Sequence, residues 1–252
     1  MNYTIPNIDG KQMIEVDRRM IENYQISLIQ MMEHAGENLA RLIQRFTKNL
    51  DGNAILLLCG NGHNGGGGLV CARFLINWGY DVCVVTTGNP ARRKAITAQH
   101  YETLRIMGAT LVHFDPIRFP DLLDHSDLVV DAMIGYGLVG DLSPELETIL
   151  STLQKRSELT VVSLDTPSGL DVSGGTSKQT VQAKATLTLA LPKLGIVLEA
   201  NRSAVGELFL ADIGVPPSLY AEMGLEVPLL FRKSSILSRN ETGKYADLEQ
   251  SN

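Results

Sequence analysis

Six glycines lie close together in one segment, which follows an apolar run and precedes a helical pattern. The segment from Cys59 to Gly68 has the sequence C-G-N-G-H-N-G-G-G-G. Glycine lets the backbone approach a ligand closely, and the amides at the start of a helix favour an anion such as a diphosphate. We therefore predict that the loop from Gly60 to Gly68 holds the diphosphate of a nucleotide-like ligand. A flexible strand-to-helix turn is the alternative, because no Walker Lys-Ser/Thr pair follows.

Two further segments place an aspartate directly at the end of an apolar strand pattern. Asp131 follows Val129-Val130 and precedes a turn kept open by Gly135 and Gly137. Asp165 precedes T-P-S-G-L-D, so it could serve as a general acid or base, with Ser168 as an oxygen ligand. Turn formation is the alternative for both segments, because Asp, Pro, Ser and Gly are the usual turn residues.

The three segments are expected to lie close together, because parallel strands place their carboxyl ends along one edge of a sheet. This proximity strengthens the prediction that they form one site. Each segment carries an oxygen-bearing side chain, and the three are Asn64, Asp131 and Ser168. Together with backbone carbonyls these oxygens could hold a hard monovalent or divalent cation. Lys193 is either a phosphate ligand or a solvated loop lysine.

Zinc and cysteine chemistry are not indicated. No His/Cys cluster has zinc spacing, and four dispersed histidines are interpreted as surface or structural residues, namely His63, His100, His113 and His125. The three cysteines are predicted to be small buried hydrophobes in a reducing compartment, namely Cys59, Cys71 and Cys83.

Alternating helices and strands must position these segments. Helical spacing of apolar residues predicts helices over 12–23, 27–46, 69–78, 92–107 and 144–155. Short apolar runs predict strands over 54–58, 81–86, 110–113, 128–131, 160–164, 185–191 and 207–210. This alternation predicts an α/β fold, with a mostly parallel sheet covered on both sides. Residues 1–233 are predicted to form a single domain, and residues 234–252 a polar, frayed C-terminal tail.

Charge and hydropathy exclude some classes of function. The 252-residue chain has a net charge of −6, which argues against nonspecific nucleic-acid binding. No apolar run reaches the length needed to span a bilayer, and the N-terminus resembles neither a signal nor a transit peptide. A cytoplasmic protein that binds neither nucleic acid nor membrane is therefore expected.

Taken in order, these segments resemble the YjeF N-terminal domain family, the NAD(P)H-hydrate epimerases. The helix from Asp17 resembles the family's first helix, which ends in M-E-x-A-G, here Met32 to Gly36. Residues 60–73 are similar to G-x-G-N-N-G-G-D-G-L-V-A-A-R. Four shorter motifs follow, namely D-A-x-x-G-x-G at 131–137, D-x-P-S-G-L-D at 165–171, A-x-P-K-x-G at 190–195 and A-D-I-G-I-P at 211–216.

The resemblance implies a fold, an activity and a site. The fold would be a Rossmann-like three-layer α/β/α sandwich, and the activity would interconvert the R and S epimers of hydrated NADH and NADPH (NADHX and NADPHX). Asp165 would be the catalytic acid/base, and a potassium ion would bind at Asn64, Asp131 and Ser168. Substrate contacts would come from His63, Asn64, Gly65, Gly66, Gly67, Gly135, Tyr136, Gly137, Leu138, Val139, Gly140, Asp141 and Asp165.

The resemblance also implies partners. In related proteins a dehydratase is often fused behind this domain, so we expect a functional link to a separate NAD(P)H-hydrate dehydratase. A homodimer is expected as well. The apolar residues of the N-terminal helices, Leu28 and Met31 among them, could supply a dimer face, but core packing explains them equally well.

One departure from the family pattern concerns the glycine segment. Gly67 replaces the family's aspartate, and His63 replaces its first asparagine. If that aspartate caps the helix, its replacement by glycine costs only a few tenths of a kcal/mol, and the fold survives. If it orients the substrate, turnover falls. A nucleotide-binding or dimerising scaffold that has lost its chemistry is therefore the alternative to an active epimerase, and a generic nucleotide- or sugar-binding module is a third reading.

Overall fold

The computed structural model describes residues 2–48, 50, 52–138, 140–173 and 179–248. Within these ranges ten strands form one sheet. The strands are β1 (Asn2–Tyr3), β2 (Ala54–Cys59), β3 (Asp81–Thr86), β4 (Thr110–His113), β5 (Leu128–Ala132), β6 (Thr160–Leu164), β7 (Ala185–Leu189), β8 (Glu207–Ala211), β9 (Ile236–Arg239) and β10 (Tyr245–Asp247). The helices are α1 (Gly10–Glu22), α2 (Leu28–Thr47), α3 (His63–Asn77), α4 (Ala95–Ile106), α5 (Phe119–Asp124), α6 (Pro144–Gln154), α7 (Leu194–Val197), α8 (Arg202–Val205) and α9 (Pro217–Glu222).

The sheet is parallel over most of its width. Its strand order is β1-β10-β9-β8-β7-β6-β5-β2-β3-β4, and every pairing from β4 to β8 is parallel. The pairings of β8 with β9, β9 with β10 and β10 with β1 are antiparallel. From β2 the chain builds outward in one direction to β4, and then returns to build in the other direction from β5. The predicted α/β fold with a mostly parallel sheet is confirmed.

Both faces of the central strands are covered, which explains their unbroken apolar sequences. In β2, Ile55 and Leu57 pack into the cluster that includes residues of α2 and α3. Leu56 and Leu58 face the other way and pack with residues of α5 and α6. Successive side chains of a strand point to opposite faces, so the helices lie on both sides of the sheet.

The first two helices begin at reciprocal side-chain caps. Asp9 accepts a hydrogen bond from the backbone N–H of Gln12, whose side chain accepts from the backbone N–H of Asp9. Ser27 and Gln30 form the same capping box at the start of α2. These caps satisfy amides that a helix leaves unpaired at its start. They fix the position of the first helix, which reaches the ligand cavity described below.

The prediction of a frayed C-terminal tail over residues 234–252 was wrong for most of that segment. β9 and β10 extend the sheet, and Leu210 pairs with Leu237 in the antiparallel register of β8 and β9. Ile236, Leu237 and Tyr245 are buried, so these few apolar residues suffice to dock two short strands in a polar sequence. Residues 249–252 lie outside the described ranges. The short helices α5, α7, α8 and α9 were also missed, because each has too few residues to show a helical period.

None of the helices that the structure describes combines the length and the apolar character needed to cross a bilayer.

Candidate functional site

A cavity of 770 Å³ opens at the carboxyl ends of the parallel strands. The segments that follow β2, β3, β5 and β6 form one side of it, with Gly60, Thr87, Met133 and Asp165 among the lining residues. Helices α1 and α2 contribute the apolar side, namely Met13, Ile14, Leu28, Met31, Met32 and Ala35. The cavity lies where the chain reverses its direction of sheet building, between β2 and β5, which is where α/β sheets bind ligands.

The glycine segment is a tight turn that leads into α3. A Cβ on Gly60 would lie 2.1 Å from the carbonyl oxygen of Met133, and one on Gly65 would lie 1.9 Å from the carbonyl oxygen of Gly60. Close backbone packing therefore requires glycine at both positions. Gly62 is the N-cap and offers no side-chain hydrogen bond. The first amides of α3 thus begin at the cavity without a side-chain cap, which suits an anionic ligand.

Helix α3 begins earlier than predicted, and this changes the meaning of Gly67. The predicted loop extended to Gly68, but the helix starts at His63, so Gly67 is its fifth residue. The idea that position 67 caps the helix is therefore wrong. Gly67 lines the cavity, and a Cβ there would lie 2.9 Å from Leu164 Cδ2. Its neighbour Gly66 is held tightly against Met32, whose Sδ would lie 2.9 Å from an added Cβ.

Asp131 is fully buried at the end of β5, and four donors satisfy its carboxylate. Its Oδ1 accepts from the Ser168 hydroxyl at 2.5 Å and the Met133 amide at 3.3 Å. Its Oδ2 accepts from the Ser163 hydroxyl at 2.9 Å and the Ser168 amide at 2.8 Å. Burial raises the pKa of Asp131, and these hydrogen bonds oppose the rise. The carboxylate ties the end of β5 to the segment that follows β6.

Asp165 lies at the wall of the cavity in a strained backbone conformation, with φ of 66°. Its Oδ2 accepts from the backbone amide of Tyr136 at 2.8 Å. Its Oδ1 accepts from Lys193 Nζ at 2.5 Å. An aspartate with positive φ is uncommon, and such strain is concentrated at functional sites. The structure thus places a buried pair of Asp165 and Lys193 where the sequence predicted an acid or base.

Neither interpretation of Lys193 was right. The side chain is fully buried, so it is not a solvated loop lysine, and its partners are protein groups rather than an open phosphate site. Besides Asp165, Nζ donates to the carbonyl oxygen of Leu189 at 2.8 Å and to Thr188 Oγ1 at 3.3 Å. A buried ammonium group needs such a set of acceptors.

A further carboxyl group in the cavity, Asp17 of α1, was missed in the sequence. The hydroxyl of Tyr136 donates to Asp17 Oδ2 at 2.5 Å, and both side chains line the cavity. Burial raises the pKa of Asp17, and burial together with the nearby Asp17 carboxylate raises the pKa of Tyr136. A signal was available, because Asp17 stands among the buried residues Met13, Val16 and Met20 of its helix. An acidic residue on an apolar helix face is rarely buried without a hydrogen-bonding or charged partner.

Polar residues of α3 and its surroundings complete the site. Asn64 lines the cavity and donates from Nδ2 to the carbonyl oxygen of Leu164 at 3.2 Å. His63 also lines it, and partial burial lowers the pKa of its imidazole. Lys94 contributes an exposed cation to the cavity, and its backbone amide donates to the carbonyl oxygen of Asn61 at 2.9 Å.

The structure brings most of the predicted contact residues to the cavity, but not all. Those that line it are His63, Asn64, Gly67, Gly135, Tyr136, Gly137, Leu138, Asp141 and Asp165. Gly65, Gly66 and Gly140 do not line it; the first two are buried in α3. Val139 lies outside the described residues. Asp131 and Ser168 are buried behind the cavity wall, so a ligand in the cavity does not touch them directly.

Other predicted roles were settled by burial. Cys59 and Cys71 are buried as predicted, Cys83 is partly exposed, and all three are free thiols. Burial raises the pKa of each of them, which argues against a reactive thiolate. Met31 is buried and Leu28 packs against the same cluster. Within the described chain these two residues serve the core and the cavity wall, so they do not indicate a dimer face.

The fold and site together define a doubly wound α/β protein with a ligand cavity at its topological switch point. The chain belongs to the family described as YjeF-related protein N-terminus, whose pattern matches residues 28–195. The resemblance drawn from the motifs is thereby confirmed.

Relatives with assigned names cover most of the chain. The NAD(P)H-hydrate epimerase of Dehalogenimonas lykanthroporepellens is 37% identical over 216 residues, which span 85% of this chain and 84% of that protein. The NAD(P)H-hydrate epimerase of Dictyostelium discoideum is 30% identical over 216 residues, or 83% of this chain and 85% of that protein. The bifunctional NAD(P)H-hydrate repair enzyme Nnr of Moorella thermoacetica is 36% identical over 220 residues, but this chain spans 41% of its length.

A solved structure confirms the fold. The crystal structure of the yeast protein YNL200c superimposes with a TM-score of 0.80, covering 93% of this chain and all of that chain, at 24% sequence identity.

Proposed function

We propose that this chain is an NAD(P)H-hydrate epimerase, an isomerase that interconverts the R and S epimers of hydrated NADH and NADPH. The observation that carries the proposal is the pair of Asp165 and Lys193 at the wall of a cavity at the switch point. The family and the names of relatives that match along most of their length support it.

The cavity suits a dinucleotide that enters with its phosphates toward α3. At 770 Å³, its volume lies in the range of small-molecule and cofactor sites. The uncapped amides that follow Gly62 and the exposed ammonium group of Lys94 supply positive potential on one side. Asp165 stands on another side, beside Gly135 and Tyr136. The diphosphate then binds at the glycine turn, while the reduced nicotinamide ring lies against Asp165.

The chemistry needs an acid/base and no redox step. Hydration places the hydroxyl on the ring carbon next to nitrogen, because the nitrogen lone pair stabilises the cation formed there. Loss of the hydroxyl as water leaves a planar C=N⁺ unit, and water that returns from the opposite side gives the other epimer. Asp165 provides a carboxylate to take up and return a proton in this exchange. While it is ionised, this carboxylate also places negative charge near the cationic ring.

A potassium ion at Asn64, Asp131 and Ser168 is the proposed cofactor. The donor set fits a hard cation because it consists of oxygens with one carboxylate. Ser168 Oγ lies 2.5 Å from Asp131 Oδ1 and 3.3 Å from the carbonyl oxygen of Ile134, so several oxygens already converge there. The described residues contain no cluster of three His, Cys, Asp or Glu side chains suited to a more demanding metal. When bound, the ion would supply positive charge behind the cavity wall.

The proposed role needs a dehydratase to complete the repair. The relatives named as bifunctional repair enzymes are much longer than this chain, which spans 41% of three of them. We propose that an NAD(P)H-hydrate dehydratase consumes the epimer released here. A homodimer and a cytoplasmic location remain predictions.

The decisive experiment follows exchange between the two hydrate epimers by proton NMR, with purified protein and with buffer alone. We expect acceleration by the wild type and loss of that acceleration in Asp165→Asn, which keeps the size of the side chain. ADP-ribose binding, measured in parallel, shows whether the variant still has an intact cavity. Binding without any acceleration by the wild type would contradict the epimerase and favour the scaffold that Gly67 suggested.

A further inference from the structure

Tyr136 connects two carboxyl groups of the cavity. Its backbone amide donates to Asp165 Oδ2 at 2.8 Å, and its phenol hydroxyl donates to Asp17 Oδ2 at 2.5 Å. All three residues line the cavity. Asp165 follows the end of β6 and Asp17 belongs to α1, so they reach the cavity from different elements of the fold.

The surroundings of the two carboxyl groups differ. Asp165 Oδ1 accepts a hydrogen bond from the buried ammonium group of Lys193 at 2.5 Å. Asp17 has the neutral phenol as its hydrogen-bond donor, and burial raises the pKa of its carboxyl group. The charged and titratable groups that face Asp17 are Tyr136, Lys193, Asp165, His63 and, from α9, Tyr220. Two carboxyl groups in one site, one paired with an ammonium group and the other with a neutral phenol, suit a proton acceptor and a proton donor.

We propose that Asp17 is a second catalytic residue, which exchanges a proton with the ring hydroxyl on the side of the substrate away from Asp165. This inference rests on the proposed epimerase activity. It gives each epimer its own acid/base group, since inversion at one carbon requires water to leave one face of the ring and return to the other.

The proposed exchange balances without a co-reactant. The carboxyl proton of Asp17 passes to the hydroxyl, and the C–O bond breaks as water leaves with the bonding pair. The ring nitrogen lone pair forms the C=N⁺ bond. A water molecule then adds to the opposite face with its own electron pair, and its proton passes to the Asp165 carboxylate. The reverse reaction uses the same groups in exchanged roles, and no electrons are transferred to or from the ring.

The competing explanation is that Asp17 only positions Tyr136. Two substitutions separate the explanations. Asp17→Asn keeps an oxygen acceptor for the Tyr136 hydroxyl but cannot deliver a carboxyl proton. Tyr136→Phe keeps the ring and its backbone amide while removing the hydroxyl that stabilises the Asp17 carboxylate. Glu15→Gln is the matched control, because Glu15 lies on the same helix but binds Arg18 and Arg19 at the surface.

The test measures the epimer-exchange rate against pH for each protein, with the uncatalysed rate subtracted at each pH. We expect Asp17→Asn to lower kcat by about 100-fold, the contribution typical of general acid catalysis, while ADP-ribose affinity and the unfolding midpoint are retained. The wild-type rate should fall at high pH as Asp17 loses its proton. That decline should be absent in Asp17→Asn and should move to higher pH in Tyr136→Phe. Glu15→Gln should behave as the wild type.

The outcomes also distinguish this inference from the function on which it rests. If the wild type does not exceed the buffer rate, both the epimerase and the role of Asp17 are overturned. If the wild type is active and Asp17→Asn retains its rate within about threefold with an unchanged pH profile, only the role of Asp17 is overturned. If Asp17→Asn does not fold, Tyr136→Phe decides, because a decline at the same pH as in the wild type would overturn the proposal.

Discussion

Lys193 Nζ lies 2.5 Å from Asp165 Oδ1, and the side chains are 0% and 4% exposed. The pair joins the end of β6 to the turn that follows β7. Both segments contain a residue with positive φ, Asp165 at 66° and Ala190 at 62°. Strain of this kind persists only where surrounding contacts fix it. The ion pair therefore holds these two segments together at the cavity wall.

Lys193→Met should destabilise the protein by about 3–5 kcal/mol, because it leaves the buried carboxylate of Asp165 without its charged partner. The double variant Lys193→Met with Asp165→Asn should lose less stability than Lys193→Met alone, since the buried charge is removed together with its partner. Urea denaturation of the two variants and the wild type measures the difference. Equal losses in the single and double variants would show that the ion pair is not what stabilises this turn.

The sequence was sufficient to predict the edge of the sheet where the site lies. Asp131 and Asp165 could be placed because each ends an apolar run that forms a central strand. The pairing of Lys193 with Asp165 could not be predicted, since it spans 28 residues and depends on how two turns pack. The start of α3 was misplaced because glycine lowers helix propensity, whereas close packing of Gly65 and Gly66 favours the helix here.

Gly67→Asp tests whether the departure from the family pattern matters. A Cβ at this position meets Leu164 Cδ2 at 2.9 Å, the end of a flexible side chain, and Ala35 Cβ at 4.0 Å. The substitution should therefore fold, with stability changed by about 1 kcal/mol or less. Because Asp165 and its partners are intact, we expect the epimer-exchange rate to change by less than about tenfold. Gly67→Ala controls for added volume, and a 100-fold gain only in Gly67→Asp would show that catalysis requires the aspartate.

The C-terminal strands should be essential to stability. Leu237 is fully buried in β9, whereas Leu229 is 62% exposed. Leu237→Ala should cost about 2–5 kcal/mol as a buried leucine truncation, and Leu229→Ala should change stability by no more than about 0.5 kcal/mol. Urea denaturation compares the two. Similar small effects would indicate that residues 236–247 behave as the frayed tail that the polar sequence suggested.

Potassium should stabilise the folded protein if it binds as proposed. A cation that binds only the native state raises stability by about 2.7 kcal/mol at 100 times its Kd. We expect a higher unfolding midpoint in potassium chloride than in choline chloride of equal ionic strength. Ser168→Ala should remove this difference, because it deletes one of the converging oxygens. Ser173→Ala, an exposed serine in the same segment, should keep it, and equal midpoints in both salts for the wild type would contradict the site.

The raised pKa of Asp17 should appear in the pH dependence of stability, independently of activity. In the unfolded chain an aspartate has a pKa of about 3.9, and burial raises the folded value above this. The stability that protonated Asp17 contributes is therefore fully present below about pH 4 and is lost as pH rises through the folded pKa. Urea denaturation over this range should show the wild type losing stability relative to Asp17→Asn as pH rises, until the difference levels off. Glu15→Gln should show the opposite trend, because Arg18 and Arg19 lower the pKa of Glu15 to about 2, so its contribution is lost as pH falls. A difference between wild type and Asp17→Asn that does not change with pH would mean that Asp17 titrates like a solvent-exposed carboxylate.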